Sequence, residues 1–204
     1  MFELVNVPKG CKVINNCWVF DVKPNGCKRA RLVAKGFSQV EGIDSDQVFS
    51  LVVHFETVRL MLALASIKNW HIEGLDVRSA YLYGKVDEEI YMKQPEGFAV
   101  KGQEHKVLRL KRALYGLKQA GLAWWETLKE SMKDLGFEHL KSDASIFLYK
   151  RKGTTTVVAI VYIDDALFCA PDIKTIKEIK AAFMKRWEYR DSRPAKEFLH
   201  MNIR

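Results

Sequence analysis

The chain has 204 residues, 48% of them apolar, enough to bury a core as one domain or as two lobes of one fold. With 33 Lys and Arg against 25 Asp and Glu, its formal charge is +8, which suits an acidic partner such as nucleic acid, the alternative being a merely solvated basic face. The start, Met1-Phe-Glu-Leu-Val5, lacks a basic n-region and a long apolar run, and the most apolar stretch, Val58 to Ile67, is broken by Arg59 and Ser66, so neither a secretory signal nor a membrane span is expected.

In chain order, Val13 to Val22, Pro24-Asn-Gly26 and Arg31 to Ala34 predict a basic β-hairpin with Asn-Gly at its turn. Thr57 to Trp70 is apolar nearly all round and predicts a buried helix. A strand ending near Asp76 leads into a helical stretch through Ala80 and Tyr81, and Asp87 to Pro95 holds a short strand before a loop marked by Pro95, Gly97 and Gly102. Leu117 to Leu135 predicts an amphipathic helix with Leu122, Trp125, Leu128, Met132 and Leu135 inward, Trp124 at the edge and Gly136 as its stop. Ile146 to Tyr149, a Lys152-Gly153 turn and Thr154 to Val161 predict a hairpin; Asp172 caps a helix burying Ile173, Ile176, Ile179 and Phe183. Hairpin turns imply antiparallel pairing, so the fold class expected is α+β with a central antiparallel sheet.

The four cysteines, Cys11, Cys17, Cys27 and Cys169, form no C-x-x-C pair and have no His at ligand spacing, which supports neither zinc nor a disulfide framework and makes reduced, intracellular thiols the default. The chemistry lies in the acids. Asp164 and Asp165 stand between two apolar runs, Val157 to Ile163 and Ala166 to Ala170, which read as hairpin strands whose tight turn carries two carboxylates. Asp76 sits at another strand end. Three such carboxylates suit a hard cation, with substrate phosphates completing its shell, as in two-metal phosphoryl or nucleotidyl transfer. A solvated turn is the plain alternative. Basic stretches at Lys9 to Lys35 and Lys101 to Lys118 lie on either side of Asp76 and ahead of Asp164-Asp165 in sequence, and suit phosphate-binding surfaces.

Seven ordered segments closely resemble the reverse transcriptase of copia-type long-terminal-repeat retrotransposons: Arg29 to Gln39, Gly42-Ile-Asp44 with Val48-Phe-Ser50, Phe55 to Arg59, Leu75 to Leu82, Ile90 to Phe98, Leu114 to Ala120 and Tyr162-Ile-Asp-Asp165. The resemblance runs nearly end to end. It implies a single reverse transcriptase domain, 1–204, of right-hand polymerase fold, with fingers at about 1–70 and 87–118, palm at about 71–86 and 119–204, and the thumb absent or incomplete. It further implies RNA-directed DNA synthesis, with Mg²⁺, or alternatively Mn²⁺, held by Asp76, Asp164 and Asp165, and Val77 lending its carbonyl.

By the same resemblance Tyr81 lies under the incoming sugar and rejects a 2′-hydroxyl, Tyr162 touches the primer terminus, and Arg31 and Lys35 approach the triphosphate of a dNTP. Gly116, Lys118 and Gln119 line the path of template and nucleotide; Trp187 and Phe198 to Ile203 border the primer strand. Read without the family, Tyr81 is equally a core tyrosine and the basic hairpin a solvated one. The implied partners are an RNA or DNA template with its primer, and, in a parent polyprotein, integrase and RNase H in a cytoplasmic virus-like particle.

Leu51, Gly121-Leu122, Arg193-Pro-Ala195 and His200 depart from the family pattern, so a catalytically inactive, nucleic-acid-binding remnant is the second expectation. A two-metal nuclease would use similar acids but finds no support in the segments around Tyr81 and Gly116.

Overall fold

The apolar run Val157-Val-Ala-Ile-Val161 is buried along its whole length, because the strand it forms is covered on both faces of its sheet, and such strands read as continuous rather than alternating apolar sequence. The structure, a computed structural model, describes residues 1–23, 26–39, 54–151, 154–192, 195, 197–199 and 201–203. The elements in chain order are β1 (Phe2–Val5), β2 (Val13–Ile14), β3 (Asn16–Val22), β4 (Lys28–Ala34), α1 (Phe55–Ile67), β5 (His71–Val77), β6 (Tyr91–Lys93) and β7 (Val107–Leu110). There follow α2 (Ala120–Asp134), β8 (Phe137–His139), β9 (Ile146–Arg151), β10 (Thr154–Tyr162), β11 (Asp165–Ala170), α3 (Ile173–Met184), β12 (Tyr189–Ser192), β13 (Glu197–Phe198) and β14 (Met201–Asn202). The expected turns at Pro24-Asn25 and Lys152-Gly153, the segments Gly42 to Asp44 and Val48 to Ser50, and the departures at Leu51, Arg193-Pro194 and His200 lie outside the described residues.

The chain divides into two compact units, Met1–Ser50 with Tyr81–Thr127, and Leu51–Ala80 with Leu128–Arg204. The first holds a four-stranded sheet in the order β1-β7-β6-β2, antiparallel except for β2 beside β6, and a separate hairpin of β3 and β4. Its core gathers Ile14, Ala34, Met92, Leu108, Leu114 and Leu117. The basic hairpin expected from Val13 therefore starts three residues later: Val13 and Ile14 leave to pair with Tyr91 and Met92, and Asn16 begins β3 while its side-chain amide donates to the Lys93 carbonyl at 2.7 Å.

The second unit is built on a six-stranded sheet in the order β12-β5-β11-β10-β9-β8, antiparallel throughout. One face packs Ile146, Val158, Ile160, Leu167 and Cys169 with Val58 and Ala65 of α1 and Phe198 of the β13–β14 hairpin. On the other face lies α3, whose Asp172 cap accepts hydrogen bonds from the backbone N–H groups of Lys174 and Thr175 and whose Phe183 ring meets Phe168 edge-on at 6.1 Å. Burial pushes the Cys169 thiol up to about 12.

Two helix expectations need correction. α1 is a helix, closed by Asn69 at φ 51 with the Trp70 N–H donating to Ala65 O and the Asn69 N–H to Ser66 O, the two bonds of a Schellman end. Yet only Val58 and Ala65 are buried in it, and Leu60 and Ile67 are 67% and 81% exposed. One face meets the sheet, and its apolar sequence continues past that contact. In α2 Leu128 and Met132 are buried as expected, but Trp124 and Ser131 are buried with them, while Leu122, Trp125 and Leu135 are only half-buried. Trp124 stands four residues before Leu128, and Ser131 and Met132 three and four after it, the spacing of one helical face.

Beneath β5 lies a charge pair. Lys180 of α3 donates to Glu73 Oε2 at 2.8 Å and to the Gly74 carbonyl at 2.9 Å, and both side chains are buried. Removing one member strands the other charge, whereas replacing both with apolar groups is often neutral. Lys180→Met is expected to cost about 3–5 kcal/mol in urea unfolding, and Glu73→Leu combined with Lys180→Met to recover most of it. A loss below about 1 kcal/mol in the single variant would show that the pair does not clamp α3 to β5.

Candidate active site

Strand pairing brings the acids together. In the antiparallel register of β5 and β11, Asp76 lies opposite Asp165, and Tyr162 opposite Asp165 closes β10 onto β11. That leaves Ile163 and Asp164 as a two-residue turn. Ile163 has φ 53, a conformation that a β-branched side chain rarely takes and that persists only where neighbouring structure imposes it. Part of that imposition is visible: the Val77 N–H donates to the Asp164 carbonyl at 2.6 Å, and the Arg78 N–H to the Glu188 carbonyl at 2.8 Å. The end of β5 is thus tied both to the turn and to the chain entering β12.

Asp76 and Asp164 are half-buried and Asp165 is more exposed, with Tyr162 half-buried beside them. Partial desolvation, then the charges of Asp76, Asp164 and Glu197, push the Asp165 carboxyl up from 3.8 to about 6. Burial is the larger cause, and the neighbouring acids add to it. Among the described residues no three His, Cys, Asp or Glu side chains stand together in a metal-holding group. The donor chemistry still fits a hard cation, since Mg²⁺ is usually held by one or two carboxylates with substrate phosphates and water supplying the rest.

The first unit assembles a second group of the expected residues. Arg31 lies over the Tyr115 ring at 5.9 Å, and Tyr81, in a 3₁₀ turn at Ala80–Tyr83, meets the same ring edge-on at 5.0 Å while packing on the core. The Ala34 N–H donates to Tyr115 O at 2.7 Å. At Gly116, with φ +89, a Cβ would stand 2.1 Å from the Ala34 carbonyl oxygen, and at Gly36 one would stand 2.0 Å from the Gly116 carbonyl oxygen. Glycine is therefore required at both places for chain to lie on chain. Lys118 donates through its backbone N–H to Gln39 Oε1 and through Nζ to Gln39 O, both at 3.0 Å, and Gln39 Nε2 donates to the buried Gln119 Oε1 at 3.1 Å. Lys35 is half-buried one turn earlier.

Gln39, Tyr115 and Ile163 are structural parts of these groups that sequence reading did not single out. For Gln39 a signal existed, since it ends one resembling segment and its partner Gln119 nearly ends another. Tyr115 and Ile163 also lie inside resembling segments, but their ring stacking and positive φ are properties of the fold. The basic stretch from Lys101 to Lys118 proves partly neutralised: Arg109 pairs with Glu89 at 2.7 Å and Lys111 with Glu3 at 2.5 Å. Arg112 donates to the Tyr83 carbonyl at 2.8 Å.

The fold presents Asp76 opposite Asp165 on an antiparallel sheet, with Asp164 in the adjoining turn. A family model described as reverse transcriptase (RNA-dependent DNA polymerase) matches residues 1–204, and the chain belongs to that family as a reverse transcriptase domain of the copia-type retrotransposons. It is 39% identical over 207 residues to the retrovirus-related Pol polyprotein from transposon TNT 1-94 of Nicotiana tabacum, covering 99% of this chain and 16% of that protein. To the retrovirus-related Pol polyprotein from transposon RE2 of Arabidopsis thaliana it is 36% identical, covering 97% of this chain and 14% of the relative. The transposon Ty1-LR2 Gag-Pol polyprotein of Saccharomyces cerevisiae is 33% identical over 178 residues, 87% of this chain and 10% of that one. The chain thus spans a small part of these relatives. Among solved structures, the foamy viral protease-reverse transcriptase in complex with double-stranded DNA matches 93% of this chain and 27% of its own length, at 13% identity and a TM-score of 0.45. No described helix is long and apolar enough to cross a membrane.

The electrostatics of Asp165 set a pH dependence. Its folded pKa lies above its unfolded one, so the native state binds more protons between about 3.8 and 6, and stability falls as pH rises through that window. Asp165→Asn removes the effect. Without divalent cations, the variant's melting temperature is expected to exceed the parent's at pH 7.5, with the gap shrinking toward pH 4.5; a gap independent of pH would contradict the crowding of carboxylates.

Proposed function

We propose that this chain catalyses RNA-directed DNA synthesis, transferring a deoxynucleotide from a dNTP to a primer 3′-hydroxyl. The observation that carries the reading is the pairing of Asp76 with Asp165 beside the Asp164 turn in a chain of this family. Divalent cations, Mg²⁺ or Mn²⁺, when bound would activate the attacking hydroxyl and stabilise the leaving pyrophosphate. Asp76 and Asp164 are the principal ligands, Asp165 supports them, and the Val77 carbonyl is a further oxygen donor.

The other residues position the substrates. Arg31 and Lys35 take the triphosphate by charge, and Tyr81 presents its ring to the sugar and disfavours a 2′-hydroxyl. Gly116, Lys118 and Gln119 border the template and nucleotide, and Tyr162 meets the primer terminus. Arg31 held over Tyr115 and Lys118 held by Gln39 support these roles, since a cation with a fixed stem loses less freedom on binding phosphate. Fingers at about 1–70 and 87–118, with the palm at about 71–86 and 119–204, are the corresponding domain reading. In the parent polyprotein, the partners are integrase and RNase H domains within an intracellular virus-like particle.

Extension of a labelled DNA primer on an RNA template tests this. Asp164→Asn is expected to slow extension about 100-fold or more, as the loss of a few kcal/mol of transition-state stabilisation requires. Equal extension by parent and variant would refute the assignment. Salt-sensitive binding of primer and template with no extension by either would identify a binding remnant instead.

A further inference from the structure

The most exposed large apolar side chain among the described residues is Phe37, at 83%. It sits in the 3₁₀ turn Gly36–Ser38. Isolated exposed apolar residues are ordinary on protein surfaces, but this turn is fixed from several sides. Ser38 Oγ donates to Lys35 O at 2.8 Å, the Lys12 ammonium donates to Ser38 O, and the Lys118 ammonium donates to Gln39 O. The Gln39 side chain accepts from the Lys118 backbone and donates to Gln119. Gly36 itself lies so close to Gly116 that no side chain fits between them.

The ring is therefore held out in water by a backbone with little freedom, although burial would favour an apolar ring of this size. Two ammonium groups are bonded to the carbonyls of the two residues that follow it, and Lys35 lies two residues before it. A rigid aromatic face flanked by cations is the pattern that binds single-stranded nucleic acid: bases stack on the ring, and lysines follow the phosphates. Phe20 is also exposed, at 75%, but it lies within the β3–β4 ladder, away from the Lys12 and Lys118 ammonium groups bonded beside Phe37.

We propose that Phe37 is a stacking platform for an unpaired base of the template strand, with Lys12 and Lys118 contacting the adjoining phosphates. The assignment rests on the polymerase reading for the word template, and on Phe37 and its anchored turn for the platform.

The test uses the whole chain and a fluorescein-labelled 12-nucleotide single-stranded RNA, with anisotropy read at several salt concentrations and primer extension measured alongside. Phe37→Ala is expected to weaken binding about 5- to 150-fold, the range for loss of one stacked base, with an unchanged salt slope because no phosphate contact is lost. Phe37→Trp should bind as tightly as the parent, and Phe20→Ala should leave binding unaltered. Emission from a 2-aminopurine placed in the RNA should change on binding to the parent and not to Phe37→Ala. Equal binding by parent and Phe37→Ala would overturn the platform, as would equal weakening by Phe20→Ala or failure of the parent to bind the RNA at all. If the parent extends primers and Phe37→Ala binds as it does, the platform alone falls. If Phe37-dependent binding is found without extension, the platform stands as a single-strand site and the polymerase reading falls.

Discussion

The antiparallel register of β5 on β11 is the constraint on which the candidate chemistry depends. A strand has a side-chain period of two, so a slip by one residue would turn Asp76 from the face it shares with Ile72 and Gly74 to the opposite one. Several features oppose that slip. The Val77 N–H bond to Asp164 O fixes the end of the strand against the turn, β12 pairs along its other edge, and Lys180 holds Glu73 and Gly74 from below. Leu75, fully enclosed, would have to exchange places with a charge. The carboxylates repel one another where they stand, as the raised Asp165 shows, so the surrounding packing must supply what their mutual repulsion removes.

The same logic of over-determined backbone appears in the first unit. Its expected site residues are held by backbone approach and by one buried amide pair. Gly36 and Gly116 let two chain segments meet without intervening side chains, and Gln39 joins the segment ending at Ser38 to the one beginning at Lys118. Arg31 and Tyr81 share the Tyr115 ring. In each unit the expected site residues therefore sit on backbone whose conformation is fixed by contacts far apart in sequence.

Much of this was legible beforehand, and the reasons differ by element. The β10–β11 hairpin was readable because its strands are buried on both faces and their apolar runs flank a polar break. The α3 cap was readable because Asp172 acts locally on Lys174 and Thr175. Short strands such as β1, β7, β8 and β12 carry too few residues for a periodic signal and exist through pairing with distant partners. The burial of α1 was overread because apolar sequence reports what a face can cover, whereas exposure depends on which neighbours are there. Trp124 was displaced from its stripe because a helical face is defined only to within about one residue until the partner surface is known. The acids themselves were legible as residues; their alignment across β5 and β11 is a property of tertiary pairing.

The order in which β5 acquires neighbours has a consequence for synthesis on the ribosome. Its partners, β11 and β12, follow it by roughly ninety residues or more, which at ordinary elongation rates is a delay on the order of ten seconds. Throughout that interval Ile72, Leu75 and Val77 have emerged without the strands that will enclose them, and a nascent chain in this state presents unpaired strand edge to whatever is nearby. Non-local pairing of this kind also slows folding once the chain is complete. The arrangement that sets one carboxylate opposite another thus leaves β5 waiting, during translation, for the strands that will enclose it.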